Sequence, residues 1–527
     1  MHKFLSSFLG LLTVTASGLS LQASETVPKL VIGIHIDQLK GAYLDLFMNG
    51  FSEEGFKKVI HSGTVYKTMV YDYPRPDAAS ACASFITGCY PRQHGILSEQ
   101  WYDRNTKKIT SCVLDPKYIG NYTNATVSPT NLLSSTLGDE LKIATDSESK
   151  VFSIGLSAEE SIVLGGHAAD GVLWIDESTG KWCTSTYYNY MPGWVQQIND
   201  SQNMSDIIEQ TSWQPLFPLS YYHYMPYEKS PTLFQYLFNK YGKDKFQMFK
   251  QTPLANSEVC KLAIKTIEKE GLGRDDNTDF LALEMSASNG LEGSKDVSAL
   301  EIQDIYFRLD QEIKTIISAA DRQVGLENVL IYIVGAGAPV YPAIEVPATK
   351  SCGGDFYPNR CISLLNLYLM AIYGNEDWVS AYYNQQIFLN RKLIAEKGIN
   401  YNEISAKAAE FLTEFSGVQS VVRNNQFLLN ESNSALNDIA NGFCQKHSGD
   451  LYLEIHGGWN IREETTGKDH QVRLEAYSTP FIIYGANIKA ERIARQVSAV
   501  DVTSTLSKVF RIRPPNNCKG HILPEFN

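Results

Sequence analysis

Along most of the chain the hydrophobic positions switch between two periods. Runs rich in β-branched and aromatic residues at 30–36, 151–156, 280–285, 329–334 and 480–484 read as strands that are apolar on both faces. Between them, apolar residues recur at helical spacing over 53–61, 131–144, 257–268 and 298–320. Strands separated by helices of this length need crossover connections. The pattern therefore predicts an α/β fold with a central, mostly parallel sheet flanked by helices. Ligand sites in such sheets gather beyond the carboxyl ends of the strands, so the residues that follow each apolar run carry the functional interest.

Two stretches break the rhythm, at approximately 187–252 and 339–470. The first holds Trp194, Trp213 and the run Tyr221-Tyr222-His223-Tyr224; the second mixes helical patterns with short polar segments. Both are expected to be cap insertions in a single α/β domain spanning 24–527. The aromatic cluster reads either as core or as a surface for a partner. At the start of the chain, Lys3 precedes an apolar stretch over 4–21, followed by the small residues Ala23 and Ser24. This pattern predicts a signal peptide over 1–23 and an exported protein of the periplasm, cell envelope or extracellular space. No later segment is apolar for long enough to predict a transmembrane helix.

Composition narrows the function classes. With 43% apolar and 20% charged residues over 527 positions, the chain has globular composition, which excludes global disorder. Its 46 Lys plus Arg against 58 Asp plus Glu give a net charge of -12, which repels phosphate backbones and argues against a nucleic-acid partner. Ten histidines and nine cysteines leave a metal enzyme open. Cys82/Cys89 and Cys352/Cys361 are close enough in sequence for short disulfide loops in an oxidising compartment, with buried thiols the alternative. Gly335-Ala336-Gly337-Ala338-Pro339 follows a strand but lacks the third glycine of a dinucleotide loop, and Gly155-Leu156-Ser157-Ala158-Glu159 is no hydrolase elbow.

The first apolar run ends at Asp37, and Tyr73-Pro74-Arg75-Pro76-Asp77-Ala78 leads into a helix of small residues reaching Ser84 to Gly88. Together with His94-Gly95-Ile96, Trp101-Tyr102-Asp103, Ser128-Pro129-Thr130-Asn131-Leu132, Gly166-His167, Tyr306-Phe307-Arg308-Leu309-Asp310 and the stretch Pro480 to Gly485, these motifs resemble the alkaline phosphatase superfamily, in particular its exported bacterial phosphate-monoester hydrolases. The resemblance covers most of 29–334 and resumes over 465–489.

The resemblance implies a site of two zinc ions in the active relatives, with a Thr or Ser nucleophile attacking phosphorus. Carried over residue by residue, the ligand set keeps Asp37 alone. The nucleophile position is Ala78, the Asp-x-x-x-His pair falls on Asn289 and Gly293, the adjacent Asp-His pair on Ala336 and Gly337, and the late His on Ser478. The Asn, Lys and Arg that hold phosphate oxygens become Glu99, Ser157 and Glu159. A carboxylate in place of a guanidinium turns attraction of a phosphate dianion into repulsion. His167 matches a histidine with a structural hydrogen bond.

Three readings follow. The first is an inactive pseudo-phosphatase with no bound cofactor, acting as a binding or scaffolding protein for an envelope partner. The second is an active metal-dependent phosphate-ester hydrolase whose ligands have been relocated, with Glu292, His456, Asp469 and His470 as candidates. The third is an acidic pocket in which Asp37, Asp77, Glu99 and Glu159 converge on a hard cation or a cationic ligand.

Overall fold

A computed structural model describes residues 27–527 apart from 189–190, 202–203, 223–232, 289–298, 338–352, 429–433, 465–468 and 473–476. The proposed signal peptide, Asn289, Gly293, Glu292 and Cys352 lie outside the described residues.

Among the described residues the central sheet has eleven strands. Its main strands are β1 (Leu30–Asp37), β2 (Thr64–Val70), β3 (Val151–Gly155), β4 (Gly171–Ile175), β5 (Trp182–Ser185), β6 (Asp279–Ser286), β7 (Val329–Ala336) and β8 (Ser478–Gly485). They stand in the order β2-β8-β7-β1-β6-β3-β4-β5, with short outer strands completing each side. From β7 to β4 every pairing is parallel. The flanking strands β8 and β5 run antiparallel to their neighbours. The sheet is thus mostly parallel and flanked by helices, as the two hydrophobic periods require.

Alternate residues of β1 explain why both faces must be covered. Leu30, Ile32, Ile34 and Ile36 enter one core together with the helices α3 (Pro253–Lys269) and α4 (Ala299–Val324). Val31 enters the opposite core, built with α1 (Ala78–Thr87), α2 (Ala158–Gly165) and α5 (Ala499–Phe510). Each such side chain taken fully from water contributes about 1.5–3 kcal/mol.

Sequence periodicity placed some elements with shifted boundaries. The helical pattern over 131–144 resolves into a short 3-10 turn at Pro129–Asn131 and a helix at Leu137–Ala144, because Thr136 caps the Asp139 amide and starts a new helix. Within 187–252, Trp213, Tyr222, Phe238 and Phe249 join the same core as the sheet. Buried Asp304 on α4 anchors this stretch by accepting hydrogen bonds from Trp213 Nε1, Tyr222 Oη and the Leu216 amide at 2.6–2.7 Å. Farther along, Val379–Tyr383, Gln386–Leu389, Leu451–Ile455 and Val418–Arg423 form a separate antiparallel sheet with its own core around Leu365, Trp378, Ile404 and Leu453. Among the described residues no helix is long and apolar enough to cross a membrane. Cys82, Cys89 and Cys361 are separate buried thiols rather than members of short disulfide loops.

Close approach between β1 and β7 depends on Gly33. The Tyr332 ring fills the space where its side chain would lie, 2.2 Å from an added Cβ, and the Tyr332 hydroxyl meets His35 Nε2 at 3.1 Å. Gly33→Ala is expected to displace Tyr332 and lower stability by about 1–3 kcal/mol, read from chemical denaturation; an unchanged midpoint would contradict this packing.

Candidate functional site

Register brings the candidate positions to one edge. Asp37, the last residue of β1, pairs with Ser286 at the end of β6 and with Ala336 at the end of β7. Gly337 follows directly, and a Cβ built there would lie 3.0 Å from the Ala78 amide nitrogen and 3.2 Å from Asp37 Oδ1. Asp37, Ala78 and Gly337 therefore share one small volume. Because β8 runs antiparallel to β7, its first residue, Ser478, starts at this same edge.

Helix α1 begins at Ala78, and Asp77 sets that start. Its Oδ1 accepts the Ser80 amide at 3.0 Å, while the Ser80 hydroxyl accepts the Asp77 amide at 3.1 Å, which closes a capping box. Asp77 Oδ2 also accepts the Glu99 amide at 2.6 Å, so one carboxylate fixes both the helix start and the residue that stands over it. Burial raises the Asp77 pKa against these hydrogen bonds. The Ser80 side chain is thereby committed to capping.

Glu99 opens the hairpin formed by Gln100–Asp103 and Lys108–Ser111, and its carbonyl accepts the Cys112 amide to close the hairpin base. The far end of this hairpin returns to the site, where the Ser111 hydroxyl donates to Glu159 Oε1 at 2.6 Å. Its flank grips the four-stranded sheet: Arg104 pairs with buried Asp450 at 3.0 Å, and Trp101 stacks on His447 with ring centroids 3.9 Å apart. Tyr383 and Arg75 complete this side. Tyr383 is pushed up to about 12 by burial and then by Asp77 and Glu99. Arg75, held at φ 53°, partly offsets the charge of Asp77.

Two carboxylates that sequence reasoning passed over complete the cluster. Glu284 sits within the buried strand β6, and its Oε2 accepts the Leu156 amide at 2.5 Å, just ahead of the first turn of α2. Burial, opposed by that hydrogen bond, raises its pKa to about 7. Glu160 is buried and accepts the Ser157 hydroxyl. Burial first, then Glu99, Glu284 and Glu159, raise Glu160 well above the usual glutamate value. Glu99 is exposed as a residue, yet desolvation by the protein around its carboxyl, followed by Asp77, Asp37, Glu159 and Glu284, raises it likewise. Each of these six carboxylates thus lies within electrostatic reach of others in the set.

His167, His94 and His456 make their contacts elsewhere. His167 engages Asp139 through Nδ1 at 2.9 Å and the Leu132 carbonyl through Nε2 at 3.0 Å, a structural role that leaves neither nitrogen for a ligand. His94 is buried, accepts the Ile96 amide at Nδ1, meets Ser84 at Nε2, and is lowered to about 3 by burial. His456 is exposed beyond the strand Leu451–Ile455, while Asp469, next to His470, is held by Arg462 at 2.9 Å.

The raised Glu284 gives stability a defined pH dependence. Between the ordinary glutamate pKa and about 7, the folded chain keeps a proton that the unfolded chain releases, so this group makes stability fall as pH rises through that window. Glu284→Gln is expected to flatten this slope, gaining stability on the order of 2–3 kcal/mol relative to wild type between pH 5 and pH 8. Denaturation midpoints across that range measure it; parallel curves would refute it.

This architecture has close counterparts. The family model described as type I phosphodiesterase / nucleotide pyrophosphatase matches residues 31–478. The chain is 28% identical over 521 residues to alkaline phosphatase PhoV of Synechococcus elongatus, covering 94% of this chain and 92% of that protein. It is 27% identical over 541 residues to alkaline phosphatase PafA of Elizabethkingia meningoseptica, covering 98% of each. The crystal structure of wild-type PafA matches with a TM-score of 0.85 at 26% identity, over 95% of this chain and 99% of that one. On the extent of that match, the chain belongs to the type I phosphodiesterase / nucleotide pyrophosphatase family, within the alkaline phosphatase superfamily.

Proposed function

We propose that this chain is an exported pseudo-phosphatase, a family member that no longer transfers phosphoryl groups and instead binds a partner or ligand in the cell envelope. One observation carries the reading: Ala78, at the first position of α1 beside Asp37, has no side-chain oxygen where the family resemblance places the attacking group. The donor set does not fit two zinc ions. Zinc takes nitrogen, thiolate or carboxylate ligands at about 2.0–2.3 Å, usually four per structural ion and three plus water at a catalytic one. Next to Asp37 stand Ala78, Ala336 and Gly337. Among the described residues no three His, Cys, Asp or Glu side chains are grouped to hold a metal ion.

The phosphate-facing positions support the same conclusion. Glu99 and Glu159 place carboxyl groups where the resemblance places a donor amide and a guanidinium, with Glu160 and Glu284 close by. None of the four supplies the positive charge that holds a phosphate dianion, and each one that ionises repels it. The four-stranded sheet within 339–470, read as a cap, meets this edge through Arg104 and Trp101 of the hairpin that follows Glu99.

Purified mature protein should contain far less than one zinc per chain by elemental analysis and hydrolyse an aryl phosphate no faster than buffer. Ala78→Thr alone should not restore turnover, because a hydroxyl without metals or a phosphate clamp stays a weak nucleophile. Stoichiometric zinc together with turnover that Asp37→Ala abolishes would overturn the proposal in favour of relocated ligands.

A further inference from the structure

The recess concentrates carboxyl groups, with Arg75 acting on Asp77 and Lys250 on Glu284. Among the described residues no Lys or Arg forms an ion pair with Glu99, Glu159, Glu160 or Glu284, and the nearby Lys250 spends its ammonium on Glu177 at 2.8 Å. Gathering carboxylates in this way is unfavourable unless protons or a bound cation offset them.

A second observation, independent of the charges, points to an occupant. Ser161, one residue after Glu160 on α2, is fully buried, and its hydroxyl has no hydrogen-bond partner. It is aimed into the cluster: a Cβ built on Gly155 would lie 2.5 Å from Ser161 Oγ and 2.8 Å from Glu284 Oε2, so both groups converge above that glycine. His35 Nδ1 and Ser153 Oγ, from the strands on either side of Glu284 and on the same sheet face, are also buried without partners. Buried polar atoms are nearly always hydrogen-bonded, and orphans grouped around one carboxylate mark a place that a polar species completes.

The geometry of the acids selects the kind of cation. Inner-sphere metal binding requires several donors closing to about 2.0–2.6 Å on one point. Among the described residues no three carboxylates are grouped that closely, yet Glu99, Glu159, Glu160 and Glu284 lie near enough to perturb one another. Such spacing suits a group that carries its charge on several N–H donors splayed over a few ångströms.

We propose that the recess bounded by Glu99, Glu159 and Asp37, with Glu160, Glu284 and Ser161 beneath, binds an organic ammonium or guanidinium group, carried by a free amine or by a Lys or Arg side chain of a peptide. The inference deepens the binding-protein reading and rests on it only for the ligand's importance, since the cluster itself is geometric.

The test is titration calorimetry of full-length mature protein with arginine amide, with an uncharged-terminus peptide containing one arginine, and with inorganic phosphate and calcium as controls. Saturable binding of arginine amide is expected, weakened roughly tenfold or more by Glu99→Gln and by Glu159→Gln, with no response to phosphate. Tighter binding of the peptide than of arginine amide assigns the cation to a protein partner; equal binding assigns it to a free amine. Both glutamines keep hydrogen-bonding capacity at solvent-accessible positions, and unchanged melting curves verify that the variants are folded. Absence of arginine amide and peptide binding at millimolar concentration, binding unaffected by both variants, or calcium binding without either cation would overturn the inference. An aryl phosphate assay on the same preparation reads the loss of catalysis separately, so either conclusion can fall without the other.

Discussion

In-register parallel pairing of β1 with both neighbours governs the whole edge of the molecule. Because Leu30 to Asp37 pair residue for residue with Asp279 to Ser286 and with Val329 to Ala336, the three strands stop on one line. Whatever residue types occupy the last positions are brought together irrespective of their chemistry. A slip of one residue would turn every β1 side chain to the opposite face and put Leu30, Ile32, Ile34 and Ile36 among the helices of the wrong core. The apolar pattern of the strands thus enforces a site-like geometry even where the terminal side chains are Ala336 and Gly337.

The same rigidity explains how the chain tolerates its cluster of acids. Glu284 is anchored by the Leu156 amide, Glu160 by Ser157, Glu159 by Ser111, and Asp77 by the amides of Ser80 and Glu99. Hydrogen bonds from backbone amides and serine hydroxyls replace part of the hydration that each carboxylate loses. What they do not remove is the rest of the desolvation cost and, after it, mutual repulsion, and both are expressed as the raised affinity of Glu99 and Glu160 for protons.

Much of this was legible in the sequence, for reasons that differ by element. The five doubly apolar runs announced buried strands, and the ends of those strands announced where Asp37, Ala336 and Gly337 would meet. The box formed by Asp77 and Ser80 is readable as a capping residue three positions before its partner. Glu284 was missed because it lies inside the run Phe280 to Met285, where position within a strand suggested packing; a charged residue in so apolar a run was itself the available signal. The sheet formed around Leu451–Ile455 escaped because its alternate residues are only partly buried, which weakens the apolar periodicity. Nothing local tied Ser111 to Glu159, since 48 positions separate them in the sequence.

Gly337 limits what this edge of the sheet can hold. Its backbone holds φ at +80°, a conformation that side-chain-bearing residues adopt only with strain, and a Cβ there would press on the amide of Ala78 at 3.0 Å. Any side chain in place of Gly337 would strain the turn and push on the start of the neighbouring helix. Exposed positions such as Glu99 can therefore change one residue at a time, whereas a bulkier residue at the strand end calls for its neighbours to shift with it.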